Sequence, residues 1–130
     1  MPCWQWVLSS PIPLRLLIAR YPEVLLSVLA VVTRAASGDV IRRAGKCRRE
    51  AQTGVVTFIQ RYGSALNLNI ALHMLVPDGA WHFVNGKAHF HRAPALTDVH
   101  IERLLARLTR RITRCLLRTG VLAVEAEPFA

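Results

Sequence analysis

Carboxylates are scarce in this chain, and so are cysteine and lysine. Its 130 residues hold eight Asp or Glu against seventeen Lys or Arg, a formal net charge of +9. The acidic residues are scattered, which leaves no carboxylate pair for general acid–base work. The three cysteines, Cys3, Cys47 and Cys115, are odd in number and far apart. Without a Cys-x-x-Cys pair they make neither a disulfide framework nor a zinc knuckle, and they suit a reducing compartment. No glycine-rich loop joins a strand to a helix, which excludes a nucleotide-phosphate cradle of that type. No serine or cysteine stands in a nucleophile motif. Long apolar runs are missing too. The stretch from Leu14 to Val32 is broken by Arg15, Arg20, Pro22 and Glu23. Its unbroken part, Val24 to Val32, is shorter than the ~20 residues that cross a bilayer. Met1-Pro2-Cys3-Trp4 places no basic segment ahead of apolar residues, so no secretory signal is expected. These absences predict a soluble, cytoplasmic protein with no membrane partner.

What is abundant is apolar side chain and arginine. Hydrophobic residues make up 52% of the chain, enough for a packed core in a single domain spanning residues 1–130. Fifteen of the seventeen basic residues are arginine. Such an excess is the electrostatic footprint of a polyanion partner, nucleic acid first among them, and implies nucleoid association.

Residues Pro13 to Ala36 read as two helical pieces, with Pro22 suited to the first turn of the second and Ser37-Gly38-Asp39 as its end. Arg42, Arg43, Lys46, Arg48 and Arg49 follow, a basic loop or frayed helix end that either carries solvated charge or touches phosphate. The β-branched and aromatic run Val55 to Ile59 predicts a buried strand, and Gly63-Ser64 breaks it. Asp78-Gly79 and Asn85-Gly86 are hairpin signals, since both tolerate positive φ. They predict a three-strand meander over about 69–77, 80–84 and 87–92. In that register Leu72, Met74, Val76, Trp81, Phe83, Ala88 and Phe90 share an apolar face. His73, His82, His89 and His91 gather on the opposite one.

The last third predicts a helix capped by Thr97, with Asp98 and Glu102 near its positive end and Gly120 past the other. At ~100° per residue, Ile101, Leu104, Leu105, Leu108, Ile112, Cys115 and Leu116 span one face. Arg103, Arg107, Arg110, Arg111, Arg114 and Arg118 form a stripe opposite, ~22 Å long, without a carboxylate and suited to phosphate contact. The tail after Val124 is acidic and reads as frayed. His89-Phe90-His91 puts two imidazoles on one side of a strand, a weak metal-binding signal. His100 reads as a surface residue.

One stretch is specific. Thr57-Phe58-Ile59-Gln60-Arg61-Tyr62-Gly63-Ser64-Ala65-Leu66-Asn67-Leu68-Asn69-Ile70, then Ala71-Leu72-His73 and Leu75-Val76-Pro77-Asp78-Gly79, resembles the two-tyrosine rolling-circle transposases of bacterial insertion sequences, members of the His-hydrophobic-His endonuclease superfamily. Gln5-Trp6-Val7-Leu8-Ser9 and Pro11-Ile12-Pro13-Leu14-Arg15 add to the resemblance, which spans about residues 5 to 122. It implies an α+β fold, an antiparallel sheet with helices packed on one face and an outer face meant for DNA. It also implies metal-dependent, tyrosine-mediated cleavage and joining of single-stranded DNA in transposition, with Mg²⁺ or Mn²⁺ held by the histidine pair. The chain departs from that pattern. Ala71 occupies the first histidine position and only His73 remains. Tyr21 and Tyr62 precede the motif and do not match the family's nucleophiles. The family's N-terminal zinc region and C-terminal tyrosine region are absent from these residues.

The expectation is therefore a truncated, catalytically inactive DNA-binding remnant with no catalytic residue assigned and a weakened or lost metal site. It would bind DNA, preferably single-stranded, through the α-helical arginine stripe and the loop at Arg42 to Arg49. Loss of flanking regions would expose apolar surface and favour self-association. Two alternatives stand beside it: a metal-dependent nicking nuclease with an unconventional histidine set, and a non-functional pseudogene fragment.

Overall fold

The structure, a computed structural model, describes residues 3–9, 12–62 and 68–120. It is α+β, with elements in the order β1 (Cys3–Ser9), α1 (Ile12–Arg20), α2 (Glu23–Arg43), β2 (Ala51–Gln52), β3 (Val56–Tyr62), β4 (Leu68–Pro77), β5 (Gly79–Val84), β6 (Lys87–Arg92) and α3 (Asp98–Arg118). The predicted break at Gly63-Ser64 and the tail after Val124 lie outside the described residues.

Helix α2 is the centre of the molecule. Val24, Val28, Val32, Ala36 and Val40 recur every fourth residue, and all are buried, as are Leu25 and Ala35. They share one core with Leu14 and Ile18 of α1, with Leu72, Met74 and Val76 of β4, and with Leu104, Leu108, Ile112 and Leu116 of α3. The helix does not end at Ser37-Gly38-Asp39, as the breaker residues predict. Ser37 Oγ donates to the carbonyl of Thr33 at 3.0 Å, and Asp39 accepts from Arg43 Nε at 2.8 Å one turn on. Each polar side chain is satisfied on the helix itself, and the burial of Val40 and Ile41 overrides low propensity. The end comes at Ala44, where Gly45 adopts φ +79°. Continued this far, α2 becomes the one described helix long and apolar enough to cross a membrane, yet 56% of its most apolar window is buried against protein. Its apolarity is accounted for by the core.

The strands form two three-stranded antiparallel sheets, β1-β4-β3 and β2-β5-β6, and not the expected meander. The Asn85-Gly86 hairpin has the expected register, Val84 facing Lys87 through Trp81 facing Phe90, with Asn85 at φ 51° and Gly86 at φ 78°. Asp78-Gly79 is different. The chain leaves one sheet at Pro77 and enters the other at Gly79, so β4 and β5 never pair. The glycine serves close approach and not a positive φ: a Cβ there would strike the carbonyl oxygen of His91 and lie 2.6 Å from Phe90 Cζ. Asp78 is buried, its carbonyl accepting from Ala93 N at 2.7 Å and its carboxylate from Arg92 Nε at 3.1 Å.

Losing the meander changes the faces. Leu72, Met74 and Val76 point into the core as expected, but Phe83 and Phe90 are 55% and 40% exposed. On the second sheet the inward face is that of Ala51 and Ala80, which meet Ile41 of α2. Small side chains there let the hairpin lie close against the helix. The β3 strand is half-buried and not buried: Val55, Thr57 and Ile59 turn inward while Val56 and Phe58 are exposed. Helix α3 begins as read, Thr97 Oγ1 accepting from the amide of His100 at 3.2 Å. Five of its seven predicted core residues are buried, whereas Ile101 and Leu105 are exposed.

Gly79→Ala is expected to destabilise the fold by about 1–3 kcal/mol, since backbone must move to admit the methyl group. Gly54→Ala, with nothing near its Cβ, should stay within about 0.5 kcal/mol of the parent in urea unfolding.

Candidate nucleic-acid interface

Arg34, Gly38 and Arg42 stand at i, i+4 and i+8 on α2, hence on one helix face. Helix α3 packs alongside and presents Arg111, Arg114 and Arg118 to the same space. Together with Arg48 these residues and Val31 line a hollow of about 310 Å³. Six guanidinium groups surround it, and among the described residues no carboxylate lines it. A second hollow of about 370 Å³ continues on the far side of Arg42, lined by Arg43, Arg103, Arg107, Asp39 and His100 among others. Arginines of α3, of α2 and Arg48 of the segment after it, separate in sequence, thus line two hollows of one groove between the helices, with Arg42 in the lining of both.

Gly38 shapes this groove. Arg48 folds back across α2, and its Nη2 donates to the carbonyl of Arg34. A Cβ at position 38 would sit 2.7 Å from that guanidinium, so a residue that reads as a helix terminator is a notch for an arginine. Partial burial, then the nearby charges of Arg107, Arg111 and Arg48, hold the Arg42 guanidinium below its ordinary pKa, with Asp39 acting in the opposite direction. A like-charged cluster of this kind favours an anion between its members.

Not every basic residue named from the sequence belongs here. Arg43 borders the second hollow but is already engaged, paired with Asp39 and donating to the carbonyl of Pro94. Arg110 and Arg49 are exposed and line neither hollow, and Lys46 lies toward the second sheet, beside His91. Arg34 was missed. Its signal, the i, i+4, i+8 spacing with Gly38 and Arg42, is visible only once α2 is allowed past Asp39.

The histidines divide. His73 lies on β4 with Ala71 on the same side of the strand, opposite Val7 of β1 and Phe58 of β3. This is the open face of the first sheet, away from the helices that cover Leu72, Met74 and Val76. Its Nε2 is hydrogen-bonded to Gln60 Oε1 at 2.8 Å. The other residues on that face are Gln5 and Ser9 of β1, Val56 of β3 and Leu75 of β4 itself, without a carboxylate. One imidazole, with Ala71 beside it and no carboxylate among the described neighbours on its face, does not fit Mg²⁺ or Mn²⁺, which seek several oxygen ligands. Among the described residues no group of three or more His, Cys, Asp or Glu is arranged for a metal ion. His82, His89 and His91 sit together on the β5–β6 hairpin, so the expected foursome is a threesome with His73 on the other sheet. The arginine groove and His73 lie on opposite sides of the first sheet, separated by the core.

Compared with models of protein families, residues 54–128 match the family described as “Putative transposase”. The match takes in β3 to α3 and covers more than half of the chain; the likeness carried by Gln5 to Arg15 lies outside it. Searches of curated proteins and of solved structures find no match.

Partial burial, then Lys46, His82 and His89, lower the pKa of His91 from the ordinary 6.5, with Glu50 opposing. The unfolded chain therefore takes up this proton at a higher pH than the folded one. The contribution of His91 to stability is whole above 6.5 and declines as the pH falls through that value toward the folded midpoint. Ring-proton NMR should place the His91 midpoint below 6.5, and Lys46→Gln should raise it. A midpoint at or above 6.5 would contradict this arrangement of charges.

Proposed function

The chain belongs to the transposase family that its residues 54–128 match, and from that premise we propose that it binds DNA, single strands in preference to duplex, in the arginine groove between α2 and α3, without cutting it. The observation that carries this reading is the convergence of six arginines from two helices and a loop on one hollow of about 310 Å³. Arginine forks match phosphate oxygens in geometry as well as charge. The hollow is concave, which favours a flexible strand that can thread its phosphates inward over a stiff duplex that carries them on a convex surface. No Phe, Tyr or Trp lines either hollow, and His100 is the one ring in the lining of the second, so base stacking contributes little there. Affinity then comes from phosphate contact, with weak sequence preference and steep salt dependence. A cytoplasmic location at the nucleoid follows from the same partner.

Cleavage finds no support in the residues. His73 is held by Gln60 on a face without carboxylates, and it faces away from the groove where the strand would lie. Tyr21 stands at the junction of α1 and α2, and His73 on β4. A metal-assisted attack by tyrosine needs these groups together at one phosphate.

Fluorescence anisotropy with a labelled oligonucleotide tests both parts. Binding to single-stranded DNA should weaken on a log–log plot against salt with a slope of about −0.7 per phosphate contacted. Arg111→Ala and Arg114→Ala should each flatten that slope by about one contact, and Gly38→Val should weaken binding by displacing Arg48 while leaving the fold intact. With Mn²⁺ present the oligonucleotide should stay uncut, for the parent and for His73→Ala alike. Failure to bind single strands at low salt would end the binding proposal. Manganese-dependent nicking lost in His73→Ala would end the claim that the chain does not cut.

A further inference from the structure

We propose that His82 and His91 form a two-imidazole site for a borderline divalent ion, Zn²⁺ or Ni²⁺, on the β5–β6 hairpin. Their ring centroids are 5.9 Å apart and the planes are tilted by 46°. Two nitrogens bound to one zinc at ~2.0–2.1 Å and a tetrahedral angle lie ~3.4 Å apart, and each ring nitrogen is ~1.1 Å from its own ring centre. With both lone pairs aimed at one tetrahedral ion the ring centres would stand ~5.1 Å apart, so the observed 5.9 Å requires the two rings to close by ~0.8 Å, a movement within the reach of side-chain torsions.

The backbone enforces this meeting. His82 pairs with His89, and Ala80 with His91, which makes His82 and His91 diagonal neighbours on one face of an antiparallel pair, within reach of ring side chains. The register is pinned by the positive-φ turn at Asn85 and Gly86. The donors thus stand on a fixed ribbon and not on a loop. His89 stands opposite His82 on the same face. Glu50 and Lys46 flank His91 with opposite charges.

A pair of imidazole donors selects Zn²⁺, Ni²⁺ or Cu²⁺ over Mg²⁺ or Mn²⁺. The site differs in kind, and in sheet, from the oxygen-seeking ion implied at position 73. It leaves coordination positions for water, and it does not depend on the DNA-binding reading.

The test uses the full chain without a polyhistidine tag. Substoichiometric NiCl₂ should broaden the ring resonances of His82 and His91 first and His89 next, leaving His73 and His100 sharp. Calorimetric titration with ZnCl₂ should saturate at one ion per chain, and Mg²⁺ in excess should not compete. His82→Gln and His91→Gln should each weaken zinc binding by ~10-fold or more, a loss of at least the size seen when a ligand's support is removed. His100→Gln should leave it unchanged. Absence of saturable binding, zinc affinity unchanged from the parent in either glutamine variant, or broadening centred on His73 or His100 would overturn the proposal. The nickel experiment on the parent chain stands even if a variant fails to fold.

Discussion

Burial of the apolar stripe of α2 is the constraint on which the molecule depends. Fully burying an aliphatic side chain contributes about 1.5–3 kcal/mol, so the four buried valines Val24, Val28, Val32 and Val40 together approach the whole net stability of an ordinary domain. The helix touches α1, α3, β4 and β5, and through it two sheets that share no ladder are held in one body. Its remaining face, free of sheet, is where Arg34, Gly38 and Arg42 meet α3. The cationic groove is thus a by-product of the core: wherever α2 is seated, the groove goes with it.

Two sides of the first sheet then have separate characters. Inward are Leu72, Met74 and Val76, with the helices and arginines beyond them. Outward are Ala71 and His73, bordered by Val7, Val56, Phe58 and Leu75, all exposed. The stretch that carries the family resemblance opens on one side, and the concentrated positive charge is on the other. The resemblance of Gln60 to His73 to its family and the arginine content of the chain are therefore independent facts about it.

Legibility in the sequence followed how local each signal was. The α3 helix was readable because its cap, its apolar face and its arginines all obey one period within 21 residues. The β5–β6 hairpin was readable from Asn85-Gly86, whose positive φ is a property of those two residues alone. Gly38 and Gly79 misled for one reason: each is glycine because another part of the chain comes close, Arg48 in one case and β6 in the other. Nothing in the neighbouring residues announces such an approach. The same blindness hid β1 and β2, whose only reason to be strands is the partner they pair with. The groove was half legible. Its α3 wall and its loop were named as separate basic features, while Arg34 was lost because the helix carrying it appeared to stop too soon.

The crowding of Arg42, Arg48, Arg111, Arg114 and Arg118 around one hollow has an effect on the protein as well as on its partner. In the unliganded chain these cations repel one another, so the two longest helices are pressed apart by the charge they share. Dissolved ions that screen this repulsion draw the helices together, and the same ions compete for the guanidinium groups. Ionic strength consequently acts on this molecule with two opposite signs, firming its architecture while loosening its hold on a polyanion.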